Sequence, residues 1–531
     1  MDFVHKHRIL AFLLAAALVM TVGMGIGAAS AAAATGGTLT FAQETDPRGL
    51  DPALIDDGES TEVTQCIFEG LTQYAKDSTE VLPCLAKSWE VSDDGLVYTF
   101  TLQEGVKFQD GSPFNAEAVK FNIERQMESL NADAVANMPY ATFCFGYVKS
   151  VDVVSDLVVK VTLSQPYTPF LANLAMGPGA PMVSPTALNN DPTKDMMDNP
   201  VGTGPYKFVE WQKGTSLTLE ANPDYWGEKP TLDKIVFQFI ENNATRVSAL
   251  INGDVDAITN VDPASLPMVQ AASDSVTLLQ QAGMNINYMA FNVSRPPFDN
   301  LQLRKAVVEA INVPELVQAL YQGTAQPANS IMPLFMPGAA PDVKPYAYDP
   351  EASKADLAAG LKATGQSSLN ITMIAYTNAR GYNTATGSTL AAAIQQYLTK
   401  VGINVTINQY DWTTYKTKAA QGEGDIIFYG WGGDNGDPDN FMNLLAVQDR
   451  AMNVSGYNNP DYNKLIDEAA SMPNGDARNA LYQQCEQIVA QDAVWLPISH
   501  STVTAACSNK VHGMSLHPVN TIFFNGVTID H

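Results

Sequence analysis

Between residues 369 and 429 the chain repeats one rhythm. Leu369 to Tyr376 reads as a strand. Ser388 caps a helix with Leu390, Ile394 and Leu398 on one face, and Gly402 ends it. Ile403, Val405 and Ile407 alternate as a second strand, Asp411 starts another helix, and Ile426 to Tyr429 is a short apolar run that reads as a buried strand. Strand, helix, strand, helix, strand demands an α/β fold with a parallel or mixed sheet and helices on its faces. In such sheets ligands bind beyond the carboxyl ends of the strands. Two loops leave such ends here. Residues 377–383 carry Arg380, Gly381 and Tyr382; residues 430–440 carry Trp431, Gly432, Gly433 and Asp434.

The second loop packs an aromatic, several glycines and three carboxylates into one turn. Glycine lets a backbone approach a ligand closely, Trp431 offers a flat wall, and Asp434 offers a carboxylate that suits a small cation such as an amine. The same composition also reads as an acidic surface turn. A calcium loop does not fit, because Asp434 and Asp437 miss the Asp-x-Asp-x-Asp-Gly spacing. Arg380 would bind a carboxylate in a fork. A ligand with an ammonium and a carboxylate would satisfy both loops; alternatively Arg380 and Asp434 pair with each other or lie in water.

Elsewhere the chain supplies further elements. Gly37 to Ala42 alternates like a strand, and Thr61 to Tyr74 repeats Val63, Ile67 and Leu71 at helical spacing. Asp93-Asp94-Gly95 marks a hairpin within 88–102, and Asn115 caps a helix running to Met127. Two strands flank Ser155-Asp156, 208–239 is strand-rich, and 243–252 is a helix closed by Gly253. Met284 to Phe291 is a strand, and 299–323 has helical periodicity.

At 531 residues and 46% hydrophobic content the chain holds two or three domains with sizeable cores. A formal charge of -26 repels nucleic acid and anionic membrane surfaces. Residues 1–34 have the form of a cleavable leader: a basic start at His5, Lys6, His7 and Arg8, an apolar run from Ile9 to Val22, and small residues around Ala29-Ser30-Ala31. No Cys follows the apolar run, so lipid attachment there is not indicated, and no later run is long and apolar enough to span a membrane. Export permits disulfides. Cys66–Cys84 and Cys485–Cys507 are the candidates by sequence order, leaving Cys144 free.

Catalytic signatures are missing. No His-Glu-x-x-His, Gly-x-Ser-x-Gly or Ser-x-x-Lys occurs, and outside the leader His appears only at 500, 512, 517 and 531. A secreted peptidase is therefore disfavoured, with His500 the remaining candidate base.

The sequence resembles the periplasmic substrate-binding proteins of peptide and nickel ABC transporters, solute-binding family 5. The likeness runs from about Leu39 to the C-terminus, through Glu80-Val81-Leu82-Pro83, residues 85–92, Gly202-Thr203-Gly204-Pro205-Tyr206, Tyr225-Trp226-Gly227 and His500-Ser501-Thr502-Val503. Arg380-Gly381-Tyr382-Asn383 and residues 433–441 resemble the dipeptide branch. The resemblance implies an α/β two-lobed clamshell of the class II periplasmic-binding type with an inserted subdomain. One lobe would comprise 35–60, 205–282 and 500–531, the subdomain 61–204, and the second lobe 283–499. The crossings near Gly283 and Ser499 would form a hinge.

It further implies that Arg380 takes a peptide's terminal carboxylate and Asp434 its ammonium, with Gly381, Tyr382, Trp431, Gly432 and Gly433 around them. At one position of the opening loop where the family pattern has Thr, this chain has Asp56, which would alter amine recognition or side-chain tolerance. The ligand expected is a dipeptide or similar short peptide. Oligopeptides, glutathione, haem or a nickel chelate are the alternatives within the family. No cofactor or resident metal is expected. The expected partners are inner-membrane permease subunits, with the protein a periplasmic monomer that does not bind nucleic acid. Tyr288 and Trp412, with Trp431, are further candidates to stack on a ligand.

Overall fold

The computed structural model describes residues 36–191, 193–344, 346–447 and 449–530; the leader expected over 1–34 lies outside them. A mixed sheet of twelve described strands runs through the molecule. At one end lie Asn404–Tyr410, Asn370–Tyr376, Ile426–Gly432 and Asn285–Phe291, in that order; at the other lie Ala257–Thr259, Thr38–Gln43, Lys234–Phe239, Ser216–Ala221 and Tyr206–Gln212. Joining them is Trp495–Ser508, a strand of 14 residues. Its first part pairs with Asn285–Phe291, from Ala290 opposite Trp495 to Asn287 opposite Ser499. Its second part pairs with Val276–Ala282, from Ala282 opposite Thr502 to Val276 opposite Ser508.

Each end of the sheet has its own core. One gathers around Tyr288, Phe291, Tyr376, Leu390 and Phe428, the other around Leu39, Phe41, Tyr206, Leu217 and Phe237. A third core lies under a separate antiparallel sheet of Ala86–Val91, Val97–Leu102, Val158–Leu163 and Val148–Ser155. The architecture is a mixed α/β clamshell of two lobes with a smaller unit attached.

The rhythm of 369–429 appears as read. Asn370–Tyr376 is parallel to both Asn404–Tyr410 and Ile426–Gly432, and the helices Gly387–Lys400 and Trp412–Ala420 connect them. Asp411 caps the second helix, its carboxylate accepting from Thr413 and Thr414 N–H. The first helix is capped by Thr386 rather than Ser388; the Ser388 hydroxyl donates to Tyr376 O instead. The last strand is longer than its apolar run, because Gly430 to Gly432 pair with Asn287 to Asn285. The helix expected over 61–74 is Gly58–Ile67, capped by Asp57. It stops because Phe68 is extended, and Gly70 passes so close to Leu174 O that a Cβ there would lie 2.4 Å away. The helix capped by Asn115 ends at Glu124. The helical stretch 299–323 is two helices, Leu301–Glu309 and Val313–Tyr321, since Asn312 caps a new start with Pro314 in its first turn.

The candidate disulfides do not form: all five cysteines are buried free thiols. Cys66 and Cys84 sit in different cores, as do Cys485 and Cys507. Burial pushes each thiol well above its ordinary pKa, which disfavours the reactive thiolate.

Where the chain crosses between the two ends of the sheet it is tied to itself. Asn285 Nδ2 donates to Ser501 O at 3.0 Å and its Oδ1 accepts from Ser501 N–H at 2.6 Å. His500 Nδ1 lies 2.6 Å from Asn285 O, so the ring nitrogen must donate. A Cβ on Gly283 would fall 2.6 Å from Ser501 O, so only glycine allows this approach.

Candidate functional site

The loop after Asn370–Tyr376 is a tight reversal, with Arg380 and Asn383 exchanging backbone hydrogen bonds at 2.9 and 2.8 Å. Buried Asn383 anchors it: its Nδ2 donates to Tyr376 OH at 2.8 Å, and its Oδ1 accepts from Tyr321 OH at 2.7 Å. Gly381 is exposed at the tip. The Arg380 guanidinium lies 4.0 Å over the Trp412 ring, a cation–π contact that holds the head without neutralising it. Its Nε is shielded from solvent and donates to nothing, and among the described residues no carboxylate pairs with it. The Tyr382 hydroxyl is likewise buried, beside that of Tyr376 and without a well-formed hydrogen bond among the described residues.

The Tyr382 ring packs on the neighbouring strand. A Cβ on Gly430 would sit 2.1 Å from that ring, so the aromatic occupies the space a side chain would need. The two loops read from the sequence are therefore brought together. Beyond Gly430, Trp431 is half-buried and Gly432 is open to solvent. Gly433 N–H donates to Met284 O at 2.7 Å.

Asn440 organises the turn. Its Oδ1 accepts from Trp431 Nε1 at 2.9 Å and from Asp434 N–H at 3.0 Å, and its Nδ2 donates to Asp434 Oδ2 at 3.0 Å. The other Asp434 oxygen accepts from Tyr140 OH at 3.0 Å. Burial pushes the Asp434 carboxyl above its ordinary range, with the two hydrogen bonds opposing. Among the described residues no cation pairs with it. Just beyond, Arg478 holds Asp437 in a buried fork with two bonds of 2.8 Å.

Asp434, Gly433 and Asp56 line one cavity of about 260 Å³ together with Asp57, Tyr140 and Gln65. Arg380 does not line this cavity; it stands at the end of the adjacent strand, across the Tyr382 ring. Asp56 is half-exposed and paired with Arg48 at 2.8 Å. Tyr288 is not available to a ligand, since it is buried and stacked on Trp495 at 3.6 Å. Trp412 supports Arg380 rather than standing free. Asn440 and Asn383 escaped the sequence reading although both lie in the quoted motifs. Tyr140, almost 300 residues from Asp434, gave no sequence signal. Among the described residues no three His, Cys, Asp or Glu side chains converge as metal ligands, and no helix is long and apolar enough to cross a membrane.

The fold and site define a solute-binding clamshell. Residues 80–453 match the family described as bacterial extracellular solute-binding proteins, family 5 Middle, and the chain belongs to that family. It is similar to the dipeptide-binding protein of Escherichia coli, at 32% identity over 96% of this chain and 98% of the relative. The heme-binding protein A of Haemophilus influenzae is also 32% identical, over 93% of this chain and 92% of the relative. Among solved structures, a dipeptide-binding protein from Pseudoalteromonas in complex with Met-Leu superposes with a TM-score of 0.77, at 28% identity, covering 93% of this chain and all of that one.

Proposed function

We propose that the chain is the substrate-binding component of an ABC importer and that its ligand is a dipeptide or similar short peptide gripped at both ends. The observation that carries this reading is a pair of unmatched charges. Among the described residues Arg380 has no carboxylate and Asp434 no cation, yet both sit at loops ending adjacent strands, half-buried and held by neutral neighbours. A shielded charge without a partner is costly, and a zwitterionic ligand supplies both partners at once. The free donors at Arg380 Nε and Tyr382 OH suit its carboxylate. Gly381, Trp431, Gly432 and Gly433 form the surrounding wall and backbone.

On this reading the lobes comprise 35–60, 205–282 and 500–531 on one side and 283–499 on the other, with 61–204 as the subdomain; the separate core of 283–499 and the core under the antiparallel sheet support it, although Val63 to Phe68 and Val183, Leu188 and Met196 pack in the first lobe's core. The two crossings at Gly283 and Ser499 act as the hinge, and the closed form meets inner-membrane permease subunits. The protein works in the periplasm, as a monomer, after loss of residues 1–34. It performs no chemistry: His500 spends its Nδ1–H on Asn285 O, and burial pushes its pKa down to about 4, so it is a poor base.

Titration calorimetry of refolded mature protein tests the grip. Ala-Ala should bind, and acetylating its amine or amidating its carboxylate should abolish binding. Arg380→Ala and Asp434→Ala should each cost about 2–5 kcal/mol of binding; unchanged affinity in both would remove the assignment. The heme-binding relative motivates a second reading, in which haem rather than Ala-Ala binds and gives a shifted Soret band.

A further inference from the structure

Beyond Asp434 the cavity of about 260 Å³ continues between three parts of the chain: 56–74 with 519–525, 140 with 175–181, and the turn at Gly433 and Asp434. Five aromatic rings and a thioether line it, those of Phe68, Tyr74, Tyr140, Tyr225, Phe523 and Met176. The tyrosine hydroxyls are spent inside the protein. Tyr74 OH donates to Ala172 O at 3.2 Å, Tyr140 OH to Asp434 at 3.0 Å and Tyr225 OH to Glu69 at 2.6 Å. What these residues offer a ligand is therefore ring surface. His517 fixes two of the rings: it stacks on Tyr74 with centroids 5.5 Å apart and meets Phe523 edge-on at 5.2 Å.

The charge on the walls has one sign. Asp56, Asp57, Glu69 and Asp434 line the cavity, and among the described residues no Lys, Arg or His does. Three of these carboxylates are engaged already. Glu69 accepts from Thr203 Oγ1 at 2.7 Å and Trp226 Nε1 at 2.8 Å besides Tyr225. Asp56 pairs with Arg48 at 2.8 Å, and Asp57 caps the helix Gly58–Ile67. Asp434 is the carboxylate assigned to the peptide's ammonium. A basic side chain thus has no uncommitted carboxylate to meet, while an acidic one would sit among like charges with no counter-ion.

Connectivity decides which residue of a peptide enters. The first side chain branches from the carbon that bears the ammonium, so it starts beside Asp434, on the cavity wall. Arg380 does not line the cavity, so the carboxylate half of the ligand runs away from it, toward the loop of Tyr382.

We propose that this cavity receives the first side chain of the peptide, and that the protein selects peptides beginning with an aromatic residue and rejects those beginning with Asp or Glu. This rests on the reading of the cleft as a two-ended peptide site. A ring in the cavity leaves water for carbon walls and gains edge-to-face contacts with other rings. A ring at the second position leaves the cavity unfilled.

Calorimetry with matched peptides tests the assignment. Phe-Ala should bind about tenfold more tightly than Ala-Ala and than Ala-Phe, with a more negative heat-capacity change. Glu-Ala should bind about tenfold more weakly than Gln-Ala, its neutral counterpart. Ala175 lies on the cavity wall, so Ala175→Phe would put a protein ring where the ligand's ring goes and should erase the gap between Phe-Ala and Ala-Ala. Wild-type protein that binds Phe-Ala no better than Ala-Ala, Ala-Phe or Lys-Ala overturns this inference while the peptide reading stands, and needs no variant. Failure to bind any of these peptides overturns the peptide reading itself.

Discussion

Arg380 and Asp434 are held by neutral neighbours, and that choice sets how the site titrates. Burial raises the Asp434 carboxyl in the free protein, while a bound ammonium would lower it again. The sign follows from that difference: peptide affinity should be full above the free-state pKa and fall as pH drops through it, with proton uptake by the released carboxylate. Calorimetry in two buffers of different ionisation enthalpy reads the proton count directly; affinity flat from neutral pH down through the usual carboxylate range would contradict the role. Gly430 offers a second residue-level check. A methyl group there would enter the Tyr382 ring, so Gly430→Ala should displace the Arg380 loop and weaken peptide binding by about 1–3 kcal/mol, seen by the same titration. Arg380, Tyr382 and Asp434 were legible in the sequence because strand ends, glycines and charges coincide there. Asn440 and Asn383 were harder to find, because a buried amide has no charge or periodicity to betray it. Tyr140 was invisible, since its contact with Asp434 exists only once distant segments are folded together.

At the scale of elements, the turn after Ile426–Gly432 is held by a helix that arrives much later in the chain. Arg478, near the start of Asp476–Asp492, forks onto Asp437, and both side chains are almost fully buried. Removing the arginine leaves a buried carboxylate alone, so Arg478→Ala should cost about 3–5 kcal/mol of stability, measured by denaturant unfolding. The unpaired carboxylate, more than the hole left by the side chain, is the main term, so Asp437→Asn combined with Arg478→Ala should recover part of the loss. Elements set by local chemistry were read correctly from sequence: Asp411 and Asn115 cap their helices with their own side chains, and left-handed Gly253 closes Asn243–Asn252. Boundaries set by contacts were not. The helix Gly58–Ile67 ends early although Leu71 keeps the period, because Gly70 must pass Leu174 O. Gly430 to Gly432 join a strand that their composition disfavours, because Asn285 to Asn287 supply the ladder.

The whole molecule couples these parts through the strand Trp495–Ser508. Ser501 Oγ donates to Tyr382 O at 2.9 Å, on the loop that carries Arg380, while Ser501 N–H and C=O are clasped by Asn285 at the crossing. A ligand held by Arg380 is thus one hydrogen bond from the segment about which the lobes would turn. Contacts across the cleft lie at the other end of the same turn: Tyr140 to Asp434, Asn435 Nδ2 to Asn173 Oδ1 at 2.6 Å, and Gly436 against Thr79. These bonds join 61–204 to 283–499 and would break on opening, so closure should be worth more with a ligand bridging Asp434 and Arg380 than without. Small-angle X-ray scattering should show a smaller radius of gyration on adding saturating peptide. Tyr140→Phe removes one bridging bond and one donor to Asp434, so it should leave the ligand-free profile more open and weaken binding by about 1 kcal/mol. Asn285→Ala should act differently, because on the proposed hinge the clasp lies at the pivot and not across the cleft. It strands the Ser501 N–H, while Ser501 O keeps the Gly283 N–H at 3.1 Å, and should lower unfolding stability by about 1–3 kcal/mol while the ligand-induced compaction persists. Identical scattering with and without bound peptide would show that the lobes do not turn at these crossings, and the division of roles between Tyr140 and Asn285 would fall with it.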